Sequence, residues 1–159
     1  ENFWLKTFSA ISTPRTTTLK KLLFTLLTFG LVLTGGCAIS QTVNPAGITI
    51  SGAEICIIED TSVKQGFLTE YRRWLEGRGA IVKTLPQRAS IRDCPIVSTY
   101  LAKWSWDLTI YMSYAEIKVY KDGVLSGDAL YDSRSGSGNM GKFIDAEEKI
   151  QELASQLFL

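Results

Sequence analysis

The first strong hydrophobic feature of the chain is an apolar run over residues 22–33, directly after the basic pair Lys20 and Lys21. At about 1.5 Å per residue, a helix of this length falls short of the roughly 30 Å hydrocarbon core of a bilayer. The run instead has the length and basic flank of a secretory signal. Cys37 follows it after Thr34 and two glycines, and small residues favour cleavage at this point.

A second pattern, further along, predicts a strand, a helix and a strand. Residues 48–50 and 53–59 are β-branched and apolar, which predicts a buried strand, and the polar residues 60–62 offer a cap for a helix. Apolar residues then recur at helical spacing: Val63, Phe67, Tyr71, Trp74 and Leu75. Residues 80–85 predict a second short strand. Short connections favour a βαβ unit, although other pairings of the two strands stay open.

The stretch 96–120 alternates apolar and polar residues and is the most strand-like part of the chain. Its length exceeds that of one strand in a small domain, so we expect a break near residues 105–107 and an antiparallel pair. Residues 121–123, Lys-Asp-Gly, predict a hairpin turn, after which residues 124–131 return as the last strand.

The end of the chain predicts an amphipathic helix. Asp145 and Glu148 have capping-box spacing. The apolar stripe consists of Phe143, Ala146, Ile150, Leu153, Ala154, Leu157 and Phe158. The expected fold is therefore α+β, in the order β-α-β-β-β-β-α, with two helices on one face of a largely antiparallel sheet of about five strands. We expect a signal over residues 1–36, a polar tether over 37–46 and a single domain over 47–159.

Charge and composition exclude several classes of function. Lys and Arg number 17 against 16 Asp and Glu, whereas nucleic-acid binders usually carry a basic surplus. The chain has no histidine and three cysteines. It therefore lacks the most common general base and cannot assemble a four-ligand zinc site from cysteine and histidine. We expect no metal, no cofactor and no catalytic activity.

The cysteines and aromatic residues supply the other candidate sites. In an oxidising compartment, Cys56 and Cys94 are expected to form a disulfide, with two separate buried thiols as the alternative. A second candidate is a surface for a glycan or protein partner, formed by Trp104, Trp106, Tyr111 and Tyr114. Aromatic residues at alternate strand positions also build sheet cores, which is the competing interpretation. A glycan-active enzyme is the alternative function, with candidate carboxylates Asp107, Glu116, Asp128 and Asp132.

The segment around Cys37 resembles a bacterial lipobox, with Thr34 where that pattern prefers leucine. The resemblance implies a diacylglyceryl-modified Cys37 at the mature N-terminus; an ordinary signal peptide or an uncleaved helix is the alternative. Ala38 implies, by the same analogy, the outer membrane, facing the periplasm. Residues 1–18 fit no structural pattern, and a start at Leu19 is a further hypothesis.

The chain from about Ile55 to Leu159, including Cys56 and Cys94, resembles a group of small proteobacterial lipoproteins without an assigned function, most clearly over residues 104–117 and 131–158. The segments Trp-Ser-Trp-Asp and Lys-Phe-Ile-Asp-Ala-Glu carry this likeness. It implies a periplasmic domain tethered to a membrane and offers no catalytic residue. The expected function is thus a non-catalytic envelope lipoprotein that binds an envelope protein, a glycan or another envelope component.

Overall fold

The structure is a computed structural model that describes residues 39–136 and 138–159. Within these residues it contains six strands, two α-helices and a 3₁₀ helix. The strands are β1 (Ser40–Asn44), β2 (Glu54–Ile58), β3 (Ile81–Leu85), β4 (Ile96–Asp107), β5 (Thr109–Lys121) and β6 (Val124–Asp132). The helices are α1 (Gln65–Gly77), the 3₁₀ helix η1 (Met140–Phe143) and α2 (Ala146–Leu157).

The strands form one mixed sheet in the order β1-β6-β5-β4-β2-β3. Strand β2 pairs in parallel with β3 and with β4, and the remaining pairs are antiparallel. Helix α1 connects β2 to β3, so the predicted βαβ unit is confirmed. The predicted α+β class, with two helices and a largely antiparallel sheet, is confirmed as well.

The sixth strand corrects the prediction of a tether over residues 37–46. Ser40–Asn44 pairs with β6 as the edge strand β1. Gln41 lies on the helix side, where its amide donates a hydrogen bond to Glu152 Oε1 of α2 at 2.7 Å. The segment resembles a tether in sequence because one of its two inward positions, beside that of Val43, is filled by a polar residue whose partner lies 111 residues away.

Two boundaries also differ from the sequence prediction. Residues 48–50 lie outside β2, because a turn separates them from it, in which the Ala53 amide donates to the Ile50 carbonyl. Helix α1 begins at Gln65 without a side-chain cap. Asp60, one of the predicted caps, instead accepts a hydrogen bond from the Ser62 amide in the turn before the helix.

The core lies between the two helices and one face of the sheet. Helix α2 buries the predicted stripe of Ile150, Leu153 and Leu157, and Asp145 caps it by accepting from the Glu147 and Glu148 amides. From α1, the core receives Phe67, Tyr71 and Leu75, and from the sheet, Ile55, Ile57, Tyr100, Ala102, Met112, Ala115, Ile117, Val119, Ala129 and Tyr131. The predicted closing helix is therefore confirmed.

The predicted antiparallel pair in the centre of the sheet is confirmed as β4 and β5, and the chain reverses at Leu108. Leu108 has φ 60°, a left-handed conformation that is rare for a residue with a branched apolar side chain. At the other end of β5, Asp122 and Gly123 have φ 52° and 79°, as a tight hairpin turn requires. Strand β6 then confirms the predicted return strand.

Candidate functional site

The candidate site is the end of the β4–β5 hairpin, where the sheet narrows to two strands. Ser40 pairs with Asp132, Asp132 with Tyr114 and Tyr114 with Lys103, which makes a row across four strands. Strands β1 and β6 extend no further than this row, whereas β4 and β5 continue to Leu108. At about 3.3 Å per residue, this continuation projects roughly 15 Å. We call residues 104–113 the hairpin tip.

A β-bulge separates the hairpin tip from the rest of the hairpin. The register of β4 against β5 shifts between Lys103 and Trp104, and Ser113 is the extra residue. The Ser113 hydroxyl donates to the Lys103 carbonyl at 3.3 Å and accepts from the Ser105 hydroxyl at 2.8 Å. Bulges increase the local twist and turn side chains to new directions. The bulge therefore sets the orientation of the tip residues.

The aromatic residues singled out from sequence divide between the two faces of the hairpin. Trp104 pairs with Met112 and packs against the core, with Lys64 Nζ 4.9 Å from its ring centroid. Trp106, on the same face, is 76% exposed. Tyr111 and Tyr114 lie opposite Ser105 and Lys103, on the other face. The four side chains therefore do not form one aromatic platform.

Three adjacent apolar side chains make the hairpin tip unusual for a protein surface. Trp106 pairs directly with Ile110, which is 62% exposed, and Leu108 at the turn between them is 79% exposed. Met140 of η1 is also largely exposed. Contiguous exposed apolar groups mark interaction surfaces. The sequence missed this patch, since Leu108 and Ile110 continue the same alternation as the core residues.

The 3₁₀ helix η1 holds the hairpin tip from the side. Lys142 is 4% exposed at its side chain and places Nζ 2.5 Å from Asp107 Oδ2. The same amine lies over the Tyr111 ring, at 5.5 Å, and Phe143 packs edge-on against Tyr111 with ring centroids 5.4 Å apart. An ion pair, a cation–π contact and an aromatic contact thus fix the exposed apolar side chains on an ordered support.

The four candidate carboxylates each bind a different partner. These pairs are Asp107 with Lys142, Glu116 with Lys118, Asp128 with Asn44, and Asp132 with Arg134. Hydrogen bonds from Arg134 hold the pKa of the Asp132 carboxyl below its ordinary value. Arg134 also stacks on Tyr114, 4.5 Å from the ring centroid. Asp132 is thus suited to an ion pair rather than to proton donation.

The predicted disulfide is present between Cys56 of β2 and Cys94, with a Cα–Cα distance of 6.2 Å. The Glu54 carboxylate lies beside the two sulfur atoms and pairs with Lys83 at 2.7 Å. Both sulfur atoms are used by the covalent bond, so this group of potential ligands is a structural cross-link rather than a metal centre. Cys37 and the predicted signal lie outside the described residues.

Among the helices of the described residues, none combines the length and apolar character that crossing a membrane requires. No family model matches the chain. No curated protein matches it either.

Two similar solved structures are of the PelC dodecamer from Paraburkholderia phytofirmans. One has a TM-score of 0.50 and 14% identity, covering 77% of this chain and 99% of that chain. The other, a Leu-to-Met variant, has a TM-score of 0.48 and 10% identity, covering 76% and 94%. At this identity, the likeness of the first concerns the fold alone.

Proposed function

We propose that this chain is a non-catalytic lipoprotein of the bacterial envelope. In this proposal it is exported, cut before Cys37 and held at the outer membrane by lipid on that residue. Its folded domain faces the periplasm and acts by binding an envelope component or partner protein. The segment that directs export and lipidation is the basic pair, the apolar run and the two glycines before Cys37.

The observation that carries the proposal is the use of the three cysteines. Two of them, Cys56 and Cys94, form a disulfide inside the domain, and structural disulfides belong mainly to oxidising compartments such as the periplasm. The third is Cys37, the cysteine that follows the apolar run and the glycines. The disulfide pair and the separate Cys37 thus both agree with export.

The hairpin tip supports a binding function over the glycan-active alternative. A binding surface needs exposed apolar groups on an ordered support, and Trp106, Leu108 and Ile110 provide them. A hydrolase needs a carboxyl group with a raised pKa as its acid. Asp132, whose pKa is lowered by Arg134, has the opposite property.

Lipid labelling in a bacterial host tests the anchor. Cells grown with labelled palmitate should incorporate label into the wild type, and Cys37→Ser should abolish it and release the protein from the membrane fraction. Ser40→Ala, three residues further on, is the matched control and should keep both label and membrane retention. Full retention of Cys37→Ser in the membrane, without label in the wild type, contradicts the proposal.

A further inference from the structure

Beyond the anchor itself, we infer that the hairpin tip inserts into the phospholipid surface of the membrane that carries the lipidated Cys37. This inference rests on the proposed lipidation of Cys37. The occupant of the apolar patch is a bilayer interface, rather than a soluble partner or a second copy of the chain. Three features support this occupant: the end of the sheet at which the described chain begins, the reach of the hairpin tip, and the chemistry of the tip.

The described chain begins at the end of the sheet from which the hairpin tip projects. Strand β1 starts at Ser40, in the row that includes Tyr114, and runs away from the tip. Ile39, the residue before Ser40, therefore lies on the tip side of this row. Ile39 lies beside Gly136 and beside Gly141 of η1, the 3₁₀ helix that supports the tip. The described chain thus begins beside η1, at the end of the sheet from which the hairpin tip projects.

The connection from Cys37 to Ser40 is short enough for the hairpin tip to reach the membrane. Cys37 lies three positions before Ser40 in the sequence, and an extended chain spans at most about 3.3–3.6 Å per residue, so this connection reaches roughly 10 Å. The tip projects roughly 15 Å beyond Ser40 toward the same side, at about 3.3 Å per residue. When the hairpin points along the membrane normal, Leu108 therefore lies further toward the membrane than the lipidated Cys37 can extend from Ser40.

The tip has the chemistry of a membrane interface. Its most exposed apolar side chains are Trp106, Leu108 and Ile110, and tryptophan with aliphatic neighbours is favoured at the boundary of headgroups and acyl chains. Two exposed lysines flank it, Lys64 beside Trp104 and Lys103 at its base. Lysines that flank an inserted apolar group interact favourably with anionic headgroups. A bilayer matches both parts of this surface.

Quenching of tryptophan fluorescence by brominated lipids tests the inference. The lipidated protein is reconstituted into vesicles of phosphatidylethanolamine and phosphatidylglycerol with brominated acyl chains, after mass spectrometry has verified lipid on Cys37. We expect strong quenching in the wild type and loss of most of it in Trp106→Tyr. The control variant Trp74→Phe should retain the quenching, since it changes a tryptophan of α1 that lies under Arg78.

A second pair of variants separates insertion from unfolding. Leu108→Asp places a charge on an exposed side chain and should lower quenching of Trp106 while lipidation and the melting temperature stay unchanged. Val124→Asp changes a side chain that is 69% exposed at the opposite end of β5, and should leave quenching unchanged. The two variants carry the same new charge, so a difference between them reports the position of the tip.

The possible contrary results distinguish failure of tip insertion from failure of the lipid anchor. Lipid on Cys37 with no quenching of Trp106 overturns the inference and leaves the anchor intact. Shielding of Trp106 that depends on protein concentration, without quenching by lipid, assigns the patch to a second copy and also overturns it. An unlipidated Cys37 overturns the proposed anchor, and this inference with it.

Discussion

The two halves of the β4–β5 hairpin have similar sequence patterns and opposite environments. Near its base, Ile117 is fully buried, because β6 and β4 flank it and the helices cover it. In the tip, Ile110 lies on the same face of the same strand and is 62% exposed. The core continues past the ends of β1 and β6 as far as Met112, which is 1% exposed, and Ile110 lies beyond it. The difference therefore arises where the core ends, within the hairpin tip. An alternating apolar pattern therefore specifies a face of a strand, whereas burial depends on what covers that face.

The largest expected effect comes from the two matched isoleucines. Ile117→Ala should reduce the free energy of unfolding by about 2–5 kcal/mol, since it leaves a cavity in the core. Ile110→Ala should change it by less than about 0.5 kcal/mol, as expected of an exposed position. Chemical denaturation of both variants measures the difference. Equal losses would show that the tip is packed as tightly as the base.

The contrast between Ile117 and Ile110 also indicates how much of the fold can be predicted from sequence. Local signals were sufficient for α2, where Asp145 caps the helix and its stripe is buried, and for the turn at Asp122. They failed for β1, because the partner that makes Gln41 an inward-facing residue is Glu152, on α2. They also failed for the tip, because the exposure of Leu108 follows from where the packed core ends, beyond Met112. Contacts distant in sequence account for both failures.

Unlike the hairpin tip, the parallel part of the sheet is covalently cross-linked, by the disulfide between Cys56 of β2 and Cys94. Cys56→Ala combined with Cys94→Ala opens a loop with a sequence separation of 38 residues, and should cost about 3–4 kcal/mol on the chain-entropy model. Thermal unfolding under identical conditions measures the loss. The tip should keep its quenching by brominated lipid in this variant below the melting temperature. A melting temperature equal to that of the wild type would refute a stabilising role.

A smaller effect is expected where α2 meets α1 over the base of the hairpin. Gln151 is exposed and lies outside the packed stripe of α2. Its amide nevertheless donates to Oε1 of Glu70, which is 3% exposed, at 2.7 Å. Gln151→Ala should therefore cost about 1–2 kcal/mol, since it removes a donor from a buried charge. Glu147→Ala, on the exposed side of α2, is the control, and an equal response of both variants would reject this role.

The smallest effect concerns acid sensitivity at the contact between β1 and α2. Burial raises the pKa of Glu152, but hydrogen bonds from Lys149 and Gln41 outweigh this and hold the pKa of the carboxyl below its ordinary value. A lowered folded-state pKa contributes stability above the ordinary carboxyl pKa of about 4.3, and this is lost as the pH falls through the folded-state pKa. Glu152→Gln should flatten the acid side of the stability profile, measured by urea denaturation. An unchanged slope would show that the network does not contribute.

The most direct test of the account is the intact mass of protein extracted from membranes, before and after alkylation of free thiols. We predict a chain that begins at Cys37, carries the mass of its acyl chains and gains nothing on alkylation, because the other two cysteines are paired. A chain that retains residues before Cys37, or a Cys37 that is alkylated as a free thiol, would contradict the lipid anchor and with it the placement of the hairpin tip in the membrane.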